Sequence, residues 1–388
     1  MTDLGRARLG TCLVFFICGI GHGTWAPRLA EIKAGIGASD GELGLSLLML
    51  GIGALIAMPV TGALVGRFGS KTVSFATAFA QGIVFPLMAF AWSWVTLGLA
   101  MFLYGVALGS LDVAMNVQAT EIERKKGQSI MSSFHGVYSV GDMAGALATG
   151  LAASMLLGLQ AHFMTSALIL LLVGVGGCWM MIADEKTEPT SGHSFVLPSG
   201  ILVVLGLIAC AALLAEGSVG DWSAIYLHDY QGADTRTAAI ALTVFAFAMA
   251  IMRFAGDHLV RRFGPFVILQ ASASLAAIGL SIALLTDLPS VAILGYGIAG
   301  LGIATLFPVL LSVAPRLSGM SASASVAAVA TLGYGGFLVG PPLIGLLADQ
   351  IGLPLALALV VVLLAATLPA IWFVGRRAAS IGWLAAKA

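Results

Sequence analysis

An all-α integral membrane protein of twelve transmembrane helices, arranged as two pseudo-symmetric six-helix bundles, is the fold this sequence predicts. Three observations carry the prediction. Of 388 residues, 59% are hydrophobic and only 9% charged, whereas a soluble protein of this size carries roughly 25% charged residues to keep its surface wet. Twelve apolar stretches of roughly spanning length, about 20 residues each, follow one another along the chain. Segments of the first half also recur in the second at a near-constant offset of 195 residues.

The stretches run over about 9–30, 42–65, 73–92, 94–117, 130–157, 161–182, 198–225, 236–260, 265–286, 289–312, 322–348 and 353–375. Backbone groups left unpaired in hydrocarbon are costly, so each stretch is expected to be helical. Breakers fall between them, among them Gly35–Asp40, Gly66–Lys71, Gly127, Gly232–Arg236, Gly264–Pro265 and Gly352–Pro354. The first stretch has no small-residue cleavage signature after it and reads as a retained helix. With the N-terminus inside, fifteen of the 18 basic residues fall on the inner side, and only Arg28, Lys33 and Arg236 lie outside. That asymmetry supports both the helix count and a multi-pass inner-membrane topology with both termini cytoplasmic. The longest polar stretch lies near the midpoint, which divides the chain into bundles 1–182 and 198–388 joined by a cytoplasmic linker at 183–197.

The four cysteines lie in apolar runs without CxxC spacing, so they read as buried small hydrophobes and not as a disulfide framework or metal site. Net charge is zero, which gives no basic field for nucleic acid. Gly66-Arg-Phe-Gly-Ser-Lys71-Thr72 lacks the glycine that a phosphate-binding loop places before its lysine, and neither HExxH nor GxSxG occurs. No enzyme chemistry, cofactor or metal is therefore expected.

The repeat is explicit. Gly62-Ala-Leu-Val-Gly-Arg67-Phe-Gly69 matches Asp257-His-Leu-Val-Arg-Arg262-Phe-Gly264, and Gly37-Ala-Ser-Asp40 matches Gly232-Ala-Asp-Thr235 as a helix start in each half. Gly141 and Gly145 match Gly336 and Gly340, and Trp25 pairs with Trp222 at an offset of 197. Parallel duplications of this kind characterise secondary transporters, whose halves rock about a site near the midplane.

The Gly-x-Leu-x-x-Arg-x-Gly loop in both halves, with Gly340-Pro-Pro-Leu-Ile-Gly345 in the eleventh helix, resembles the major facilitator superfamily over the whole chain. The resemblance implies alternating access around a cavity lined by the first, fourth, fifth, seventh, tenth and eleventh helices, in a protein for which a monomer suffices. In that family an acidic residue precedes the loop arginine; here Gly66 and Arg261 stand there. The gating set is thus expected to comprise Gly62, Arg67, Gly69, Arg262 and Gly264, with Arg253 pairing Asp257 one turn away.

Ionisable residues inside spans are functional candidates by default. Asp112 and Asn116 share a helix face, and Gly109-Ser-Leu-Asp112-Val-Ala-Met-Asn116 resembles a motif of the fucose permease branch, which contains proton-coupled sugar symporters. The resemblance implies a proton and sugar role for Asp112, although the branch's first-helix aspartate has only His22 as its nearest counterpart. Ala215-Glu216-Gly-Ser-Val-Gly-Asp221-Trp222 resembles the seventh helix of the same branch.

Asp112 and His135 lie equally far from the loop near residues 123–124, so they are expected at similar depth, facing one another as a proton or gate relay if helix rotation allows. The alternatives are a structural hydrogen bond from Asp112 to a neighbouring helix and a neutral His135 packed by the inner loop. Asp142, seven residues beyond His135, either joins that chemistry or braces a helix pair through its flanking glycines. Trp25 and Trp222 are interfacial anchors, or stack on solute, or close an outer gate. The expected assignment is Asp112, His135, Glu216 and Asp142 for proton coupling, with Asn116, His22, Trp25, Trp222 and Asp221 for solute. The expected activity is proton-coupled symport of a sugar or similar polar metabolite, with sodium not excluded as the ion. Proton-driven efflux of drugs or amphipathic compounds is the alternative, and a non-transporting receptor or enzyme is the reading of another class.

Overall fold

The computed structural model describes residues 3–127, 130–183, 200–318 and 322–380, and the secondary structure among them is helical, without strands. The helices are α1 (Asp3–Trp25), α2 (Leu29–Ile36), α3 (Asp40–Phe68), α4 (Ser70–Val84), α5 (Trp94–Lys126), α6 (Met131–Ser154), α7 (Leu159–Met180), α8 (Ile201–Gln231), α9 (Thr235–Phe263), α10 (Pro265–Leu285), α11 (Pro289–Ile303), α12 (Leu306–Ser318), α13 (Ala322–Ile351) and α14 (Leu353–Ser380). A 3-10 turn at Ala26–Arg28 joins α1 to α2, and α11 runs into α12, so the fourteen helices make twelve passes. Eleven of these runs are long and apolar enough to cross a membrane. The twelfth pass, α6, has 24 residues, enough for about 36 Å of rise, but His135, Asp142 and its serines and glycines dilute its hydropathy. That dilution marks it as a helix facing polar groups.

The repeat is written into the backbone. Ser39 caps α3 by accepting from the Glu42 amide at 3.1 Å, while the Glu42 carboxylate accepts from the Ser39 amide at 2.9 Å. Asp234, its counterpart 195 residues on, caps α9 by accepting from the Thr237 amide at 2.8 Å. Gly69 and Gly264 end the matching helices with φ of 82° and 84°, a conformation that disfavours a side chain.

Within the first half α1 packs on α6 and α7, and α3 on α5; within the second, α8 packs on α13, and α10 on α11 and α14. The α1–α6 contact is backbone to backbone: a Cβ on Gly141 would overlap the Phe16 carbonyl oxygen. The equivalent Gly336 of α13 meets the Cys210 carbonyl oxygen of α8 in the same way. The halves meet chiefly through α3 against α13 and α6 against α9. Apolar side chains such as Leu172, Trp179, Phe247 and Leu294 remain exposed on the outside, as a lipid-facing surface requires. After twelve passes the start of α1 and the end of α14 lie at one end of the bundle; α2 and the starts of α3 and α9 lie at the opposite, far end.

Candidate functional site

Close helix approach creates the first element of the site. Because glycines on α1 and α6 let the backbones touch, His22 Nδ1 reaches Asp142 Oδ1 at 2.9 Å, with Asp142 buried. Trp25 stands edge-on to the His22 ring at 5.2 Å between centroids. From the other half, α8 crosses the imidazole at Gly220, where a Cβ would lie 3.2 Å from Cε1 and Nε2. Asp221 and Glu216 of α8 are the further carboxylates within electrostatic range of the ring. His22 is thus held by one bundle and pressed by the other.

A second link ties the bundles directly. Arg253 of α9 donates to Ser139 Oγ of α6 at 2.7 Å and to Glu216 Oε1 of α8 at 2.9 Å. The partner expected from sequence spacing is Asp257. The guanidinium turns to the gap where α9 packs on α6, and there it finds a carboxylate and a hydroxyl. The Asp257 side chain lies outside the described residues. Ser139 was missed by sequence reasoning, although its position four after His135 and three before Asp142 places all three on neighbouring faces of α6.

Asp112 and His135 are not brought together. Asn116 Nδ2 donates to the Asp112 carbonyl at 2.8 Å and to its Oδ1 at 3.1 Å, an arrangement internal to α5. His135 is exposed and lies edge-on to Phe15 at 5.3 Å. The physical reason is that α1 stands between the two helices: its Phe15 meets His135 of α6, and its Cys18 Sγ approaches Met115 Sδ of α5 at 3.9 Å. Equal depth along two helices does not make their faces meet.

Both tryptophans are buried at the far end, Trp25 at 4% and Trp222 at 0% exposure, so neither offers an open face to solute. Trp222 packs beneath Gly345 of α13, where a Cβ would lie 3.1 Å from its ring. Around them, sequence reasoning missed a latch. Lys33 Nζ of α2 pairs with Asp40 Oδ1 at 2.6 Å and, across the bundles, with Asp229 Oδ2 of α8 at 2.8 Å. His228 Nδ1 sits 2.7 Å from the other Asp229 oxygen, and Ser39 Oγ donates to Asp349 Oδ2 of α13 at 2.9 Å. The available signal was that Lys33 is one of only three basic residues on its side of the membrane.

The loops that carry the family-like motif show no such ties. Gly62 and Arg67 are exposed, Arg67 lies over Phe68 at 5.1 Å, and Arg262 lies over Phe263 at 5.2 Å. Neither arginine forms an ion pair among the described residues. Among the described residues, polar links between the bundles therefore gather at the far end and at mid-depth.

Duplicated six-helix bundles of membrane-spanning length, with buried charges facing one another between them, define a membrane transport protein. The sequence pattern of the Major Facilitator Superfamily matches residues 11–337, and the chain belongs to that superfamily. An uncharacterised transporter of that type from Yersinia pestis is 36% identical over 363 residues, covering 92% of this chain and 93% of that protein. An uncharacterised transporter from Sinorhizobium fredii is 34% identical over 343 residues, covering 88% of this chain and 90% of its own. Among solved structures, a mutant of the nucleoside transporter NupG is similar in fold, with a TM-score of 0.77 at 13% identity over 96% of this chain and 99% of that one.

Proposed function

We propose that this superfamily transporter is a proton-coupled secondary carrier that takes up a sugar or a similar small polar metabolite by alternating access. The observation that carries the reading is the His22–Asp142 pair at 2.9 Å, set in one bundle and covered by Gly220 of the other beneath a closed far end. A histidine–carboxylate pair gains or loses a proton near neutral pH. Its contact with α8 makes that proton sensitive to how the bundles are tilted. Glu216 is the second acid, held within its own bundle by Arg253, which also reaches Ser139 of the other bundle. Asp112, Asn116 and Asp221 supply hydrogen-bonding groups suited to hydroxyls, and His135 is exposed. The resemblance of α5 and α8 to the fucose permease branch supports a saccharide-like solute. Trp25 and Trp222 fit the outer-gate role better than solute stacking, given their burial.

In this reading residues 1–182 and 198–388 are the rocking bundles, joined by the linker at 183–197, and both termini are cytoplasmic, so the far end faces outward. The exposed Arg67 and Arg262 loops then belong to the inner gate.

The test is uptake into proteoliposomes with an imposed pH gradient, screened against neutral sugars and polyols and against amphipathic dyes. Solute-dependent proton entry with a sugar or polyol is the expected result. Dye extrusion that collapses with the gradient selects efflux instead, and accumulation driven by a sodium gradient alone removes the proton.

A further inference from the structure

An apolar groove of about 440 Å³ opens on the outside of the second bundle, between the start of α10 and the end of α14. Phe263, Phe266, Val267, Ile371 and Trp372 form its walls, and Arg376 stands among them. Trp372 is 56% exposed and Val267 58%, so the groove faces the surroundings of the bundle and not its interior. Gly375 keeps it open: a Cβ there would sit 3.2 Å from the Phe266 ring.

The chemistry at its rim is one-sided. The Arg376 guanidinium lies over the Trp372 ring at 4.7 Å, and that of Arg262 over Phe263 at 5.2 Å. Stacking of this kind fixes the plane of a guanidinium and leaves its N–H edge directed outward, the geometry that suits a phosphate. Arg261 and Arg377 flank them, and none of the four arginines makes an ion pair among the described residues. The groove lies where α9 ends, α10 begins and α14 nears its end, at the arginine-bearing ends of α9 and α14.

We propose that this groove is a binding site for an anionic phospholipid of the surrounding bilayer, with the phosphate on Arg376 and Arg262 and an acyl chain along the apolar wall. Charge complementarity selects this occupant: a zwitterionic lipid brings its own ammonium to a rim of four arginines that make no ion pair among the described residues. A basic site near the membrane surface favours an anionic headgroup by about 1 kcal/mol per arginine, roughly fivefold in binding. The proposal is independent of solute and coupling ion.

The groove carries its own reporter. The full chain is reconstituted in phosphatidylcholine bilayers, and Trp372 emission is taken as the difference between the wild type and Trp372→Phe. Quenching by acyl-brominated phosphatidylglycerol is then compared with quenching by the equally brominated phosphatidylcholine. The expected result is a preference of about 25-fold for phosphatidylglycerol, about fivefold for each of the two arginines, falling to about fivefold in Arg376→Gln and surviving in larger part in Arg376→Lys. Equal quenching by both lipids in the wild type overturns the proposal, as does a preference that Arg376→Gln leaves intact. A preference that emerges only after removal of residues 381–388 overturns it too, because the chain's own tail would then be the occupant.

Discussion

His22 of α1 and Asp142 of α6 meet at 2.9 Å although 120 residues separate them, and glycines on both helices make the meeting possible. The pair is placed by backbone contact, so its geometry is as rigid as the helix packing beneath it. It also forms the only histidine–carboxylate contact among the described residues that lies between the bundles at mid-depth.

If this pair carries the coupled proton, Asp142→Asn and His22→Gln will each lower pH-gradient-driven uptake by about tenfold or more. Solute exchange at equal pH on both sides will persist in both variants. Equal loss of driven uptake and exchange would assign the pair a purely structural role.

The packing beneath the pair can be tested separately. A Cβ on Gly141 overlaps the Phe16 carbonyl oxygen, and one on Gly336 overlaps that of Cys210. Gly141→Ala and Gly336→Ala must therefore push two backbones apart, at about 1–3 kcal/mol each. Gly66, also helical, has nothing within 4 Å of the Cβ position, so Gly66→Ala serves as the neutral control. Thermal unfolding in detergent is expected to rank both packing variants below wild type and the control level with it. A Gly141→Ala protein as stable as wild type would contradict the close approach.

These two residues also show what the sequence made legible. Offsets of 195 residues brought out Gly69 with Gly264, and the structure gives them φ of 82° and 84°; a local turn needs only local residues. The same offset linked Gly141 with Gly336, both of which proved to be helix contacts. Charges such as His22, Asp142 and Glu216 stood out because spans rarely tolerate them. Their partners did not, because loop lengths fix depth along a helix and leave its rotation free. Asp112 and His135 show the consequence: α1 lies between their helices. Arg253 shows another, since it reaches Glu216 and Ser139 across helix contacts that sequence spacing does not reveal.

That ion pair yields a coupling prediction. Arg253 holds Glu216 at 2.9 Å and Ser139 at 2.7 Å, with about a quarter of each charged side chain exposed (25% and 23%). Glu216→Gln and Arg253→Met will each destabilise the protein, and the double variant by less than their sum. A coupling of about 1–3 kcal/mol is expected for residues in direct contact, and Ser139→Ala will cost about 1 kcal/mol. Additive effects in a double-mutant cycle by thermal or denaturant unfolding would show that the bridge contributes nothing.

At the far end, Lys33 holds Asp40 of its own bundle and Asp229 of the other, at 2.6 and 2.8 Å. Asp349 adds a hydrogen bond from Ser39 across the same seam. Opening the far end must break the Asp229 and Asp349 contacts while leaving Lys33–Asp40 intact, because that contact stays within one bundle. Exposed pairs contribute about 0.2–1 kcal/mol each, so losing the cross-bundle pair shifts the open population by up to about fivefold. Asp229→Asn is expected to raise the labelling rate of a cysteine at the buried Ser223 position of α8 by that factor, with Lys33→Gln close behind. Asp40→Asn, which removes only the intra-bundle pair, is expected to change labelling far less. A larger effect from Asp40→Asn than from Asp229→Asn would mean that Lys33 organises α2 locally and does not latch the bundles together.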